Sequence, residues 1–243
     1  YGHPVTTHWS NTYQRVHPQV AALPGIDLLC IDAYRSDLSD AVQSSQGQLA
    51  KLLWASIDDP RQGLAQYAKG VLVTEYGGSS QGSADASMRV DHACGAWAAL
   101  VGGHAGSPML WWHEWVDQGD HWQPFAAIGA FIAGEDLRGG RSDDCVVTGG
   151  SGDVASRMWM QTTRVLAYVV DLDWNRRGGA QVRQTQVRIA LPALPAGTWQ
   201  GQWWDADRGI PGPTFSTVHV GGEFVLSVPE FSGHVALKMW LER

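Results

Sequence analysis

The chain has 243 residues, 44% hydrophobic and 17% charged, with 29 Gly and 11 Pro, which describes a loop-rich globular protein of one large or two modest domains and excludes a disordered one. A net charge of -7 and a pI near 5.6 exclude the clustered Lys and Arg that a nucleic-acid backbone requires. No apolar run approaches the roughly 20 residues that span a bilayer, and the three scattered Cys, Cys30, Cys94 and Cys145, exclude a disulfide framework or a zinc motif while leaving a single bridge open.

The first residue is Tyr1 rather than Met, with no charged-then-apolar leader, as expected of a mature or truncated product. From residue 1 to about 137, short apolar runs alternate with helical stretches, the grammar of successive βα units on a parallel sheet. The first unit is His3 to Trp9 with a helix near Tyr13 to Ala22. The second is Ile26 to Tyr34, followed by helical segments between Leu38 and Lys69 that Pro60 and Gly63 interrupt. The third is Val71 to Glu75, then a helix over Ala84 to Val101 with a broad apolar face. The fourth is Pro108 to His113, a polar loop through Asp117, Gly119 and Asp120, and a helix from Trp122 to Ala133 that Gly134 stops.

After Gly139-Gly140 the pattern changes. Runs at Arg157 to Gln161, Val165 to Asp171, Val182 to Leu191, Glu223 to Val228 and His234 to Leu241 are set apart by Gly, Pro and Asp turns, the spacing of a small antiparallel β-sandwich. The expected fold class is therefore α/β plus all-β, with domains over 1–140 and 141–243. Four βα units cannot close a barrel, which takes eight strands, so the first domain is expected to be half of one.

The strand Gly70 to Tyr76 runs into Gly77-Gly78 and ends on a carboxylate, Glu75. A strand end of this kind opens at the mouth of a parallel sheet, where such folds keep their chemistry; a helix cap or a partner for Arg is the simpler role. Thirteen Trp serve core packing or stacking on flat apolar faces, and Trp111, Trp112 and Trp115 cluster after the fourth strand. Asp32 and Tyr34, two residues apart on a strand, share a face, and Arg35 offers Asp32 a partner. Glu114, past an apolar strand, is the rival carboxylate and reads as loop charge. His3, His8 and His113, with Glu114 and Asp117, are the metal candidates; no His-x-x-x-His spacing supports them, so neither metal nor cofactor is expected. His92 and His104 read as structural. A phosphate loop and a serine elbow are absent from the motifs.

With Thr74-Glu75-Tyr76-Gly77, Ile31-Asp32-Ala33-Tyr34 and Leu110-Trp111-Trp112-His113 in this order, nearly the whole chain resembles the C-terminal half of a clan-A, cellulase-like glycoside hydrolase, strands 5 to 8 of a (β/α)8 barrel with an appended β-sandwich. The resemblance implies a retaining hydrolase of β-linked oligo- or polysaccharides with Glu75 as nucleophile, Tyr34 contacting it, Trp112 or Trp111 flooring a sugar subsite, and His3, His8 or His113 touching hydroxyls. The family's acid/base Glu, preceded by Asn on the fourth strand, has no counterpart, because the sequence contains no Asn-Glu pair. It is expected on an N-terminal half-barrel supplied as a separate fragment or chain. An extracellular or periplasmic location goes with such a substrate. The alternative is a non-catalytic carbohydrate-binding or assembly subunit on the same scaffold. Trp199, Trp203 and Trp204 in the sandwich are either a carbohydrate platform or residues of the core or of a domain interface.

Overall fold

The computed structural model describes residues 2–35, 49–78 and 82–242. The chain forms two compact units, Tyr1–Gly119 and Asp120–Arg243. Among the described residues no helix is long and apolar enough to cross a membrane.

In the first unit, β1 (Thr6–Trp9), β2 (Leu28–Tyr34) and β3 (Gly70–Gly77) form a parallel sheet in the order β1-β2-β3. The apolar runs of β2 and β3 are largely buried, as the inner strands of a parallel sheet require, whereas β1 is an exposed, polar edge. The connection after β1 holds only a 3-10 turn at Tyr13–Arg15 and the four-residue helix α1 (Pro18–Ala21). The continuous helix expected near Tyr13 to Ala22 is divided because Val16 is extended and Pro18, lacking an N–H, starts a new helix rather than continuing one. Between β2 and β3 lie α2 (Leu49–Asp58) and a 3-10 turn, Leu64–Tyr67; the expected start near Leu38 lies outside the described residues.

Helix α3 (Asp85–Gly102) is the longest of the unit. Its Ala-rich sequence favours the helix, and it ends on Gly103 at φ 81°, where Gly103 and His104 return N–H bonds to Leu100 and Ala99, a glycine stop in the left-handed region. Trp54 of α2 donates its indole N–H to Ala98 O at 3.0 Å, binding the two helices together. Tyr76 of β3 packs against Gly95, where a Cβ would lie 2.7 Å from the Tyr76 ring and hydroxyl. Helix α3 therefore covers the Tyr76 side of β3.

The fourth strand, expected over Pro108 to His113, is reduced to one parallel bridge between Tyr76 and Leu110, with Tyr76 N bonded to Met109 O and Trp111 N to Tyr76 O, each at 3.0 Å. The chain turns immediately into α4 (His113–Gln118), which replaces the expected polar loop. Glu114 and Asp117 are thus on a short exposed helix.

The second unit opens with α5 (Gln123–Ile132), which ends before Gly134 at φ 77°. Eight strands follow in one antiparallel order: β10 (Ile210–His219), β9 (Gly197–Asp205), β13 (His234–Leu241), β6 (Arg164–Asp171), β5 (Val154–Gln161), β4 (Arg141–Thr148), β8 (Arg188–Leu194) and β11 (Gly222–Ser227). A two-stranded ribbon joins β7 (Arg183–Gln184) to β12 (Phe231–Ser232). Strand β4 changes partner midway: Arg141 to Cys145 pair with β5, Val146 to Thr148 with β8. The inward residues form one core that includes Met158, Val169, Ile189, Leu191, Trp199 and Leu237. Trp199 belongs to this core, and its N–H is bonded to Pro195 O. Helix α5 packs within this unit, with Phe131 edge-on to Trp204 at 5.3 Å and the backbone of Ala127 against Gly209. All three cysteines are free and buried, and burial pushes the Cys145 thiol up to about 12.

Candidate functional site

The site is built by an irregularity in β3. Up to Ile31 opposite Val73, β2 and β3 run in simple register; the next pairing is Asp32 opposite Glu75. One extra residue, Thr74, is therefore accommodated on β3 as a bulge. Strict alternation would set Glu75 on the side of Val71 and Val73, whose side chains are buried. The bulge moves Glu75 to the side of Asp32 and Tyr34 and returns Tyr76 to the α3 side. Thr74 fixes the bulge by donating its hydroxyl to Ile31 O at 3.1 Å, and it lies 3.4 Å from Asp32 Oδ1.

On the face so formed, the Tyr34 hydroxyl donates to Glu75 Oε2 at 2.9 Å. His8, opposite Cys30 on β1 and hence on the same face as Asp32, places Nε2 at 2.8 Å from Asp32 Oδ1. The Asp32 side chain is 4% exposed and that of His8 38%. Burial raises the Asp32 carboxyl above its ordinary value; the hydrogen bond from His8 opposes this, and the negative charge of Glu75 adds to it. One atom able to ligate a metal from each of His8, Asp32 and Glu75 lies within 4.8 Å of the other two. Chemically this is an oriented carboxylate beside a second, buried one whose ionisation is resisted.

The remaining expected residues fall in three places. Trp111, Trp112 and His113 follow the bridge at Leu110 and so continue past the end of β3; Trp111 is exposed, Trp112 is half-buried, and His113 sits at the surface, 3.4 Å from Glu114. His3 is exposed ahead of β1, and among the described residues neither it nor His113 belongs to the close group of His8, Asp32 and Glu75. The partnership expected between Asp32 and Arg35 is not formed either. Arg35, one residue past the end of β2, donates to Asp91 of α3 at 2.8 Å instead. Asp91 was not legible as a partner, although an acid within the apolar face of α3 was the available signal. His104 is tied to Ser56 at 3.1 Å and His92 lies edge-on to Trp115 at 6.1 Å, both in packing roles.

The sequence matches no protein-family model and no curated protein. Among solved structures the chain is similar to a protein described as a glycoside hydrolase, with TM-score 0.61, 10% identity, and coverage of 99% of this chain and 58% of that one. It is similar to a glycoside hydrolase family 5 protein from Bacteroides vulgatus, with TM-score 0.55, 12% identity, and coverage of 98% and 56%. It is also similar to a GH30 endoxylanase from Clostridium papyrosolvens, with TM-score 0.54, 12% identity, and coverage of 98% and 56%. The chain thus has the fold of part of a glycoside hydrolase and spans a little over half the length of the structures it matches.

Proposed function

We propose that this chain is the catalytic-nucleophile half of a clan-A retaining glycoside hydrolase, with units βα5 to βα8 of the barrel over residues 1–140 and a β-sandwich over 141–243. The observation that carries the reading is the hydrogen bond from Tyr34 to Glu75 at the end of a parallel strand, on a face that the bulge at Thr74 dedicates to polar groups. Similarity in fold to glycoside hydrolases supports it.

In this reading Tyr34 holds Oε2, leaving Oε1 of Glu75 to attack the anomeric carbon. The carbon–oxygen bond to the leaving sugar breaks as an acid/base carboxyl protonates that oxygen, and water then releases the glycosyl ester with the same group acting as base. The two carboxyls of such a pair stand about 5–5.5 Å apart. The partner comes from βα units outside these 243 residues. Asp32, held by His8, flanks Glu75 on the same face of the sheet, and Trp112 stacks on a sugar ring. The substrate is a β-linked glycan, met outside the cytoplasm.

The test is to purify the 243-residue chain together with the polypeptide carrying the missing units and a strand-terminal Asn-Glu, and to measure reducing-sugar release from β-glucan and β-xylan. Turnover that Glu75→Gln abolishes is expected; turnover retained in Glu75→Gln overturns the assignment. Glycan binding that Trp112→Ala weakens, with no sugar ever released, would instead identify a carbohydrate-binding or assembly subunit.

A further inference from the structure

The second unit contains a cleft of ≈ 620 Å³ lined by Trp203, Asp207, Arg208, Pro211, Glu230 and His234, a size within the range of about 300–1,000 Å³ typical of ligand sites. It is formed where β9 ends and the turn to β10 begins, among residues that the reading of Glu75 does not use. We infer that this cleft is a second carbohydrate site, binding a neutral oligosaccharide by stacking on Trp203 and by hydroxyl donation to the carboxylate of Asp207.

Trp203 packs part of its surface on the core of the unit and lines the cleft with the rest. A ring held this way is a rigid apolar platform, which matches the C–H face of a pyranose. Asp207 is fixed from behind. Its Oδ1 lies 2.9 Å from Nε2 of His234, whose side chain is wholly buried, while the Asp207 side chain is 50% exposed. The other imidazole nitrogen is 2.8 Å from the Tyr168 hydroxyl, and Trp174 stands 5.3 Å from the ring. The turn itself is closed by Arg208 N donating to Asp205 Oδ1 at 2.9 Å and by Gly209 at φ 66°. Asp207 therefore presents its outer oxygen in a set orientation without having to be ordered by a ligand, which lowers the cost of binding.

The lining selects the ligand class. Asp205, Asp207 and Glu230 outnumber Arg208 among the charged lining residues, even with Glu230 paired to Arg183, so the cleft is acidic on balance and disfavours an anion. A purely apolar ligand would strip water from these carboxylates without replacing it. A polyol with one apolar face satisfies both the indole and the carboxylate.

The test is calorimetric and NMR titration of the full 243-residue chain with cellohexaose and xylohexaose, following the indole N–H signal assigned through Trp203→Phe. Saturable binding is expected that shifts the Trp203 signal, persists in Glu75→Gln and in Trp112→Ala, and weakens about tenfold or more in Asp207→Asn, the loss set by a hydrogen bond to a charged acceptor. Because Asp207 is half-exposed, that variant reports on the site even if Trp203→Phe unfolds the unit, which circular dichroism will show. No saturable binding of either sugar, or equal affinity in wild type and Asp207→Asn, overturns the inference. Loss of binding in Trp112→Ala alone overturns it as well and leaves the first site standing.

Discussion

The Tyr34 hydroxyl meets Oε2 of Glu75 at 2.9 Å across 41 residues of chain. Two neighbouring parallel strands make the meeting possible, and the bulge at Thr74 makes it happen by turning Glu75 to the Tyr34 side. Such a donor orients a carboxylate and spreads its charge. In the assembled hydrolase, Tyr34→Phe is expected to lower kcat by about 10–100-fold, the value of a hydrogen bond to a charged group, with KM changed much less. Steady-state kinetics beside circular dichroism decides it; an unchanged kcat would detach Tyr34 from the chemistry.

Asp32 gives a pH signature. Burial, reinforced by Glu75, holds its pKa above the ordinary 3.8 despite the hydrogen bonds from His8 and Thr74. The folded state therefore binds this proton more tightly than the unfolded chain, so the contribution to stability is full below 3.8 and is lost as pH rises through the folded value. Asp32→Asn is expected to flatten that part of the curve of urea midpoint against pH. His8→Ala removes an opposing hydrogen bond and is expected to move the loss to higher pH. Superimposable curves for wild type and Asp32→Asn would show that burial does not govern this carboxyl.

The sequence makes β2, β3 and α3 legible because each is a long run with one clear period, and the Gly-Gly after Glu75 marks the strand end. It does not show the bulge. Thr74 has no Gly or Pro beside it, and a bulge is chosen by how two strands pair rather than by either strand alone. The same limit hides the partner of Asp32: His8 is reached through the β1–β2 register, whereas the nearby Arg35 is turned away to Asp91. The fourth strand shows the opposite error. Pro108 to His113 reads as a full strand by its apolar content, yet only Leu110 pairs, since the hydrophobicity of Trp111 and Trp112 belongs to side chains beyond the sheet. In the second unit, strand spacing is legible and β13 appears with the ends expected, His234 and Leu241, while the change of partner within β4 is a long-range choice that no local pattern encodes.

Glu135 anchors the second unit. It follows α5 and receives Arg164 on both oxygens, at 2.6 and 2.5 Å, and Lys238 at 2.8 Å. Burial works against its ionisation, but these two cations outweigh burial and hold the carboxyl below its ordinary 4.5. The stabilisation is therefore present above 4.5 and is lost as pH falls through the lower folded value. Glu135→Gln leaves the buried Lys238 uncompensated and is expected to cost about 3–5 kcal/mol near neutral pH, with the penalty shrinking in acid. Urea unfolding of both chains at neutral pH and at pH 3 tests it, and a penalty independent of pH would deny the charge its role.

Gly95 is the point at which α3 reads the position of Tyr76. A Cβ there would stand 2.7 Å from Tyr76 Oη and Cζ, and Tyr76 is 1% exposed with the α3 backbone on one side and the bridge to Leu110 beside it. In an open helix, Gly→Ala stabilises by roughly 0.5–1 kcal/mol. Here the added methyl must push the ring and with it the strand that carries Glu75, so Gly95→Ala is expected to destabilise by a net of about 1–3 kcal/mol. The displacement should also lengthen the contact between Tyr34 and Glu75 and lower kcat in the assembled enzyme. The urea midpoint and kcat are to be read together: a raised midpoint would mean that the helix and strand part freely, and a lowered midpoint with full kcat would mean that the bulge at Thr74 holds Glu75 in place without support from α3.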